Sequence, residues 1–374
     1  MSSPSSPIPC SKDELPSIPG CDTIIDLLTL KGDDLKNKIL KLVQVLFPDW
    51  AEEVHDIQLD RVSGAMTNAV FFVNANNKPR LLVRIYGNGV DQIIDRGNEL
   101  AWLARLSHLN IGPSLLGIFG NGRFEEYLPS TTLTHRDLRD PKTSKQIASC
   151  LRELHDIVTV YPYDNSKLEI WNNIDKWHRL VMNLLPALLK KSDGWAKVLE
   201  EYNLERLASE IEECKKILES THSPIVFAHN DTQYGNILRL EKSNELVIVD
   251  FEYAGYNPRG FDIANHFCEW TYDYHSDNPA EMKMDQFPTY EEQIRFLKAY
   301  LDTQSKHNNS NIIDNSLTPE RLQKETSMWL MATHLSWGLW GLIQANQSEI
   351  DFDYFLYSMQ RLNAFREELA KWRK

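Results

Sequence analysis

Apolar and polar positions divide the chain into two unlike parts. Up to residue 129 the apolar residues come mostly in short runs. Ile57–Val62, Asn68–Val73 and Arg80–Tyr86 alternate as strands do, joined by Ser63–Thr67 and an Asn-rich turn at 74–77, so a small antiparallel sheet is expected. Gly112–Gly120 reads as turn, strand, turn, and Arg123–Leu128 as a strand ending at Pro129. Two stretches here have helical spacing: Asp33–Phe47, closed by Pro48, and the Ala/Leu-rich segment around Glu99. Beyond residue 130 helical spacing dominates, over Lys142–His155, Leu168–Leu189, Trp195–Glu200, Asn203–Glu219, Tyr290–Gln304, Pro319–Gln344 and Phe352–Arg373. The runs Ile225–Ala228 and Leu246–Val249 read as buried strands, with Lys242–Asn244 suited to a hairpin-like return between them. The pattern predicts an α+β chain: a disordered Pro/Ser-rich tail at 1–22, a β-rich N-terminal lobe at 23–129, and a larger helical lobe at 130–374, with a loop at Ser305–Ser316.

Each buried strand delivers a carboxylate just past its end, Asp231 after the first and Asp250 after the second, and Asn236 lies five residues beyond Asp231. Phosphoryl transfer from a nucleotide needs such a set. One carboxylate takes the acceptor's hydroxyl proton, while the second, with an amide oxygen, holds magnesium against the phosphates. The alternative is that both Asp residues only terminate strands as turn residues.

The run H-N-D-T-Q-Y-G-N at 229–236, followed by D-F-E-Y at 250–253, resembles the catalytic loop and metal-binding D-F-G of protein kinases. It departs at Asn230, where those enzymes carry Arg, and at Glu252, where they carry Gly. H-N-D with D-F-E-Y and G-F-D-I-A-N-H-F at 260–267 resembles the choline/ethanolamine kinase family, choline kinases in particular, from residue 57 to the C-terminus, with nothing aligned over 156–222. The resemblance implies an eukaryotic protein-kinase-like two-lobed fold, with ATP as co-substrate and Mg2+ as cofactor. It makes Asp231 the catalytic base, and Asn236 and Asp250 the metal ligands. It assigns the nucleotide to Ser63, Gly64, Ala65, Met66, Thr67 and Asn68 as phosphate loop, although that loop has a single Gly. Arg84 stands in for the strand lysine, paired with Glu99; Gln233 reaches the phosphates; and Glu125, Glu126, Tyr127 and Leu128 form the adenine-binding hinge. Read from the strand alone, alternation leaves the face of Arg84 open.

A second constellation is aromatic. Trp337 and Trp340 are three apart and share a helix face, Tyr357 follows in the next segment, and Glu269 and Tyr274 lie among rings upstream. Ring faces hold a quaternary ammonium by cation–π attraction, worth about 2 kcal/mol per desolvated contact. Taken singly, a Trp on such a helix belongs more often to the core. The resemblance assigns Trp337, Trp340, Tyr357 and Tyr274 to the choline ammonium, with Glu252, Tyr253 and Glu269 beside them, and leaves Trp329 in the core. It implies phosphorylation of choline to phosphocholine, the first step of the CDP-choline route to phosphatidylcholine. Ethanolamine, alone or with choline, is the alternative acceptor. An aminoglycoside-type kinase and a non-catalytic kinase-like binding module rank lower, since the Trp pair suits no polar sugar and all three catalytic positions are filled.

Composition adds little. A net charge of −13 disfavours nucleic acid and anionic membrane as partners. Five Cys without a CxxC pair, and no apolar run of membrane-spanning length, suggest a cytoplasmic protein with reduced thiols. The family resemblance further implies a homodimer.

Overall fold

The computed structural model describes residues 18–27, 29–50, 57–62, 68–86, 95–164, 168–304, 317–348 and 350–373. They form two compact units: Met1–Val90 with Leu100–Leu128, and Asp91–Glu99 with Pro129–Lys374.

The first unit is built on a six-stranded sheet of β1 (Gly20–Cys21), β2 (Gln58–Arg61), β3 (Asn68–Asn74), β4 (Leu81–Tyr86), β5 (Leu115–Phe119) and β6 (Gly122–Glu126), in the order β1-β5-β6-β4-β3-β2. The expected meander is present, in register from Phe72 opposite Leu82 to Val83 opposite Phe124. The alternation buries Leu81, Val83 and Ile85, and helix α1 (Gly32–Leu46) covers them with Ile39, Leu42, Val43 and Leu46. One correction concerns the N-terminal segment. Gly20 and Cys21, expected in the tail, pair in parallel with Ile118 and Phe119 and so belong to the sheet. Apolar patterning is silent on a two-residue strand, which is held by backbone hydrogen bonds.

Helix α2 (Arg96–His108) begins in the second unit, whose helices continue with α3 (Pro141–His155), α4 (Glu169–Leu188), α5 (Asp193–Tyr202), α6 (Leu207–Glu219), α7 (Arg259–Glu269), α8 (Tyr290–Asp302), α9 (Pro319–Gln347) and α10 (Tyr354–Trp372). Its strands are β7 (Ser130–Thr132), β8 (Ile225–Ala228), β9 (Ile237–Leu240), β10 (Leu246–Ile248) and β11 (Gly255–Pro258). A second correction falls here. β8 and β10 are not the two arms of one hairpin: β10 returns on β9, while β8 pairs with β11. The turn at 242–244 does close a hairpin, but one whose first arm, I-L-R-L, is too short and too mixed to stand out.

Two glycines decide how α9 meets α10. A Cβ on Gly341 would lie 3.0 Å from the Tyr357 ring, and one on Gly338 would lie 2.7 Å from Leu362. Glycine inside a helix costs about 1 kcal/mol relative to alanine; here it permits the close approach that brings the Trp337 and Trp340 face onto Tyr357. No helix among the described residues is long and apolar enough to cross a membrane.

Candidate active site

β8 is buried and ends in a loop whose shape is set from α7. The carboxylate of Asp262, in the first turn of α7, accepts the backbone N–H groups of His229 at 2.8 Å and Asn230 at 2.7 Å. It also accepts from His155 Nε2 at 2.9 Å, and the Tyr300 hydroxyl donates to Nδ1 of that ring at 2.8 Å. Burial pushes the Asp262 carboxyl up, but the bonds it accepts from His155 and from the His229 N–H outweigh it, so it sits below the usual carboxylate range. His229 is held neutral by burial; its Nε2 donates to the Val249 carbonyl at 3.0 Å and its Nδ1 accepts the Asp231 N–H at 3.2 Å.

Asp262→Asn is isosteric and tests this anchor. Hydrogen bonds to a charged group contribute about 1.5–3 kcal/mol each. Unfolding in urea is expected to show a loss of about 2–3 kcal/mol. A loss under 0.5 kcal/mol would mean that the loop holds its own shape.

Asn230 is left-handed, with φ of 67°. The next residue, Asp231, receives the Asn236 amide on its carboxylate at 2.9 Å and on its carbonyl at 2.9 Å. The Val249 N–H donates to the Asn236 carbonyl at 2.9 Å, which carries the end of β10 to the same place. Asp250 then turns out of the strand at φ of 66°, a conformation Asp and Asn adopt more readily than other non-glycine residues. The two strands, though in different sheets, deliver Asp231, Asn236 and Asp250 together as the spacing predicts.

The site concentrates negative charge. Burial, then Glu269, Asp250 and Glu252, push the Asp231 carboxyl well above the usual range, against the Asn236 bond. Among the described residues, Glu99, Asp250 and Glu252 offer oxygens within 4.8 Å of one another. Arg96 joins two of them, donating to Glu99 at 2.7 Å and to Glu252 at 3.2 Å. The donors are carboxylate oxygens, hard ligands that suit magnesium rather than a soft metal.

An aromatic belt borders the carboxylates. Tyr253 lies 5.3 Å from Trp337 between ring centroids, Trp337 is 5.3 Å from Trp340, and Trp340 is 5.7 Å from Tyr354 and 6.2 Å from Tyr357. Tyr272 continues it 5.1 Å from Tyr357, and Tyr274 stacks 5.8 Å from Tyr272. The Tyr274 hydroxyl donates to one oxygen of Glu269 at 2.6 Å, and the buried Arg361 donates to the other at 2.7 Å. The Arg361 guanidinium in turn lies over Tyr272 at 4.7 Å and Tyr357 at 5.2 Å.

This arrangement, with the motifs that build it, matches one family model, described as choline/ethanolamine kinase, over residues 59–366. The chain belongs to that family. Probable choline kinase 1 of Arabidopsis thaliana is 35% identical over 342 residues, 89% of this chain and 92% of the plant protein. A choline/ethanolamine kinase of Homo sapiens is 35% identical over 329 residues, 84% of this chain and 80% of the human one. The solved structure of an ethanolamine kinase from Plasmodium vivax has a TM-score of 0.75 at 28% identity, covering 90% of this chain and 91% of that one. The α+β, protein-kinase-like fold expected from the motifs is the fold observed.

Within this family member, the remaining expected residues fall as follows. In the first unit, Arg84 lies on β4 with its Nε 3.8 Å from the Glu125 carboxylate, which also takes a short bond from the buried Arg123. The Glu126 carboxylate accepts the Ser114 N–H and hydroxyl, and Tyr127 packs 5.2 Å from Phe72 under the Arg80 guanidinium. In the second, Glu99, expected opposite Arg84, accepts from Arg96. Gln233 folds back on its own turn, its Oε1 accepting the Gly235 N–H. Trp329 is buried against Trp171 and Phe261, as expected of a core residue. Ser63–Thr67 and the side chain of Asn68, the expected phosphate loop, lie outside the described residues, as do the tail through residue 17 and the loop at 305–316.

The sequence reading missed Tyr272, Tyr354, Arg361 and Arg96. Tyr354, Tyr357 and Arg361 are spaced i, i+3, i+7, so one face of α10 carries them and a helical projection would have grouped them. Tyr272 and Arg96 had no such signal.

Proposed function

We propose that this chain transfers the γ-phosphoryl group of ATP to the hydroxyl of choline, with ethanolamine as a weaker acceptor. What carries the reading is the continuous wall of Tyr253, Trp337, Trp340 and Tyr357 beside a carboxylate with neutral partners. Among the described residues Glu269 is paired with Arg361, and Glu99 and Glu252 share Arg96, whereas Asp231 is held by the Asn236 amide and its own loop. Its charge faces the acceptor uncompensated. A trimethylammonium cannot donate a hydrogen bond and is held by ring faces plus a negative field. Ring faces beside Asp231 support a reading in which the hydroxyl-bearing end of a short cationic alcohol reaches that carboxylate.

Asn236 and Asp250, with Glu99 and Glu252 near them, would hold magnesium. The ion would neutralise charge on the β- and γ-phosphates. Arg84 is suited to grip phosphate oxygens bidentately. Asp231 orients the acceptor hydroxyl and takes its proton as the bond to phosphorus forms and the bond to the leaving oxygen breaks. Positioning and charge neutralisation supply most of the acceleration. A cytoplasmic homodimer is part of the same proposal.

Trp340→Leu tests the wall. Losing one desolvated cation–π contact of about 2 kcal/mol lowers kcat/KM for choline by about 30-fold. Ethanolamine, whose primary ammonium depends more on hydrogen bonds, is expected to lose less than a third of that factor. Coupled-assay rates of ATP consumption with each amine decide it. Equal losses would remove the cation–π reading, and a wild-type preference for ethanolamine would reverse the order of acceptors.

A further inference from the structure

Asn230 is the position at which this chain departs from the H-R-D of protein kinases, and all its polar groups are committed. Its N–H goes to Asp262, its amide nitrogen donates to the Tyr253 carbonyl at 2.7 Å, and its amide oxygen accepts from Asn257 at 2.8 Å. Its carbonyl accepts the side-chain amide of Asn265 at 3.0 Å. Asn265 is wholly buried on α7, and its amide oxygen accepts the Trp337 indole N–H at 2.7 Å. Trp337 in turn packs edge-on against Tyr253. These contacts close a ring: Asn230, Tyr253, Trp337, Asn265 and back to Asn230. Every member except Asn265 is either a wall of the proposed ammonium site or the residue preceding Asp231.

Packing does not hold this wall by itself: the Trp340 indole N–H also donates to the Tyr253 hydroxyl at 3.0 Å. Asn230, Tyr253 and Trp337 all line one small cavity, together with Ile170, Trp177 and Phe261. Side chains bordering open space lose the contacts that would fix them. The hydrogen bonds of the ring then decide how far the wall stands from Asp231.

We propose that Asn265 is a positioning and specificity residue: by joining the Trp337 indole to the Asn230 carbonyl it fixes the distance from the ammonium wall to Asp231, and so selects acceptors with two carbons between ammonium and hydroxyl. This rests on the acceptor reading given above. Asn265 touches neither substrate nor the reacting atoms and acts through Trp337 and the Asn230 peptide. The role needs both ends of its amide, an acceptor toward indole and a donor toward carbonyl, which Asp, Leu or Ser in its place would not reproduce.

The experiment compares choline with its homologue one methylene longer in wild type, Asn265→Ala, Trp337→Phe and the double variant, with thermal unfolding recorded for each. Trp337→Phe keeps an aromatic ring, smaller than the indole, and deletes the N–H that Asn265 accepts. Asn265→Ala is expected to lower kcat for choline about 10- to 100-fold, the scale of a catalytic group displaced by about 1 Å, with KM moving less than about threefold. The preference for choline over the longer homologue is expected to shrink at least about fivefold in both single variants, and the double variant to add little, as for residues acting through one contact. A merely structural Asn265 would slow both acceptors by one factor and leave the preference unchanged; that result, or effects that multiply in the double variant, overturns the inference. Should Asn265→Ala not fold, Asn265→Asp, which keeps the acceptor toward the indole and loses the donor toward the Asn230 carbonyl, carries the same expected shift in preference. Wild-type turnover with unchanged preference in the variants defeats this inference alone, whereas no wild-type turnover of choline or ethanolamine defeats the acceptor reading and the inference with it.

Discussion

Asp231→Asn is expected to lower kcat about 10²- to 10⁴-fold, the span associated with a positioned general base, and at the same time to raise the melting temperature of the substrate-free protein. The substitution is isosteric, and an asparagine there still offers an oxygen to the Asn236 amide that now donates to Asp231 at 2.9 Å. It loses the capacity to take the hydroxyl proton and the negative charge facing the ammonium, so kcat falls and KM for choline rises together. The stability effect has the opposite sign for a physical reason. Burial, Glu269, Asp250 and Glu252 together hold the Asp231 carboxyl well above its usual range. Folding therefore favours its protonated form, and keeping it charged above the unfolded value, near 3.9, costs stability that grows as pH rises toward the folded value. At neutral pH the asparagine escapes that cost. Initial rates of phosphocholine formation and a thermal melt without magnesium or nucleotide measure both halves. A variant that keeps more than a tenth of wild-type kcat would remove Asp231 from the base role. A variant that melts below wild type would show that the carboxylates do not repel as their placement requires.

Arg361→Met is expected to destabilise the protein by about 3–5 kcal/mol, the cost of breaking a buried ion pair on one side. Arg361 and Glu269 are both almost fully buried, 0% and 2% exposed, so neither has water to fall back on. Methionine fills much of the arginine volume but leaves the Glu269 carboxylate with the Tyr274 hydroxyl as its remaining side-chain partner among the described residues. It also takes the guanidinium from between Tyr272 and Tyr357. The double variant Arg361→Met with Glu269→Gln is expected to recover most of the loss, because the uncompensated charge is gone. Denaturant unfolding at equilibrium reads both. A single-variant loss under about 1 kcal/mol, or a double variant no better than the single, would show that the pair is not the support of the Tyr272, Tyr274 and Tyr357 segment.

The two effects describe one design. Carboxylates are crowded where, on the proposed function, an ammonium, a metal and phosphates would be handled, and their repulsion is a cost. From the protein side Arg361 pairs with Glu269, while Glu99 and Glu252 share the single charge of Arg96. Asp231 is left for the substrate. A site whose charges were all balanced internally would be more stable and would bind a cation less well.

Much of this was legible along the chain because it is local. The carboxylates ending β8 and β10, the Asn five residues on, and the three-residue spacing of Trp337 and Trp340 are consequences of short-range geometry: strands that run out into left-handed residues, and a helix that repeats every 3.6 residues. Those features point to the proposed catalytic set and aromatic face, and to the α+β architecture, from residue order alone. The tertiary structure decided which partner each group received. It paired β8 with β11 rather than β10, drew Glu99 to Arg96, set Arg361 on Glu269 across 92 residues, and joined Trp337 to Asn265 across 72. Acidic and basic residues are plentiful, and most are solvated. Position in the sequence does not rank one arginine above another as the partner of a given glutamate. Burial makes that choice, because a charge or an N–H removed from water must find its match among the few groups that packing brings within 3 Å.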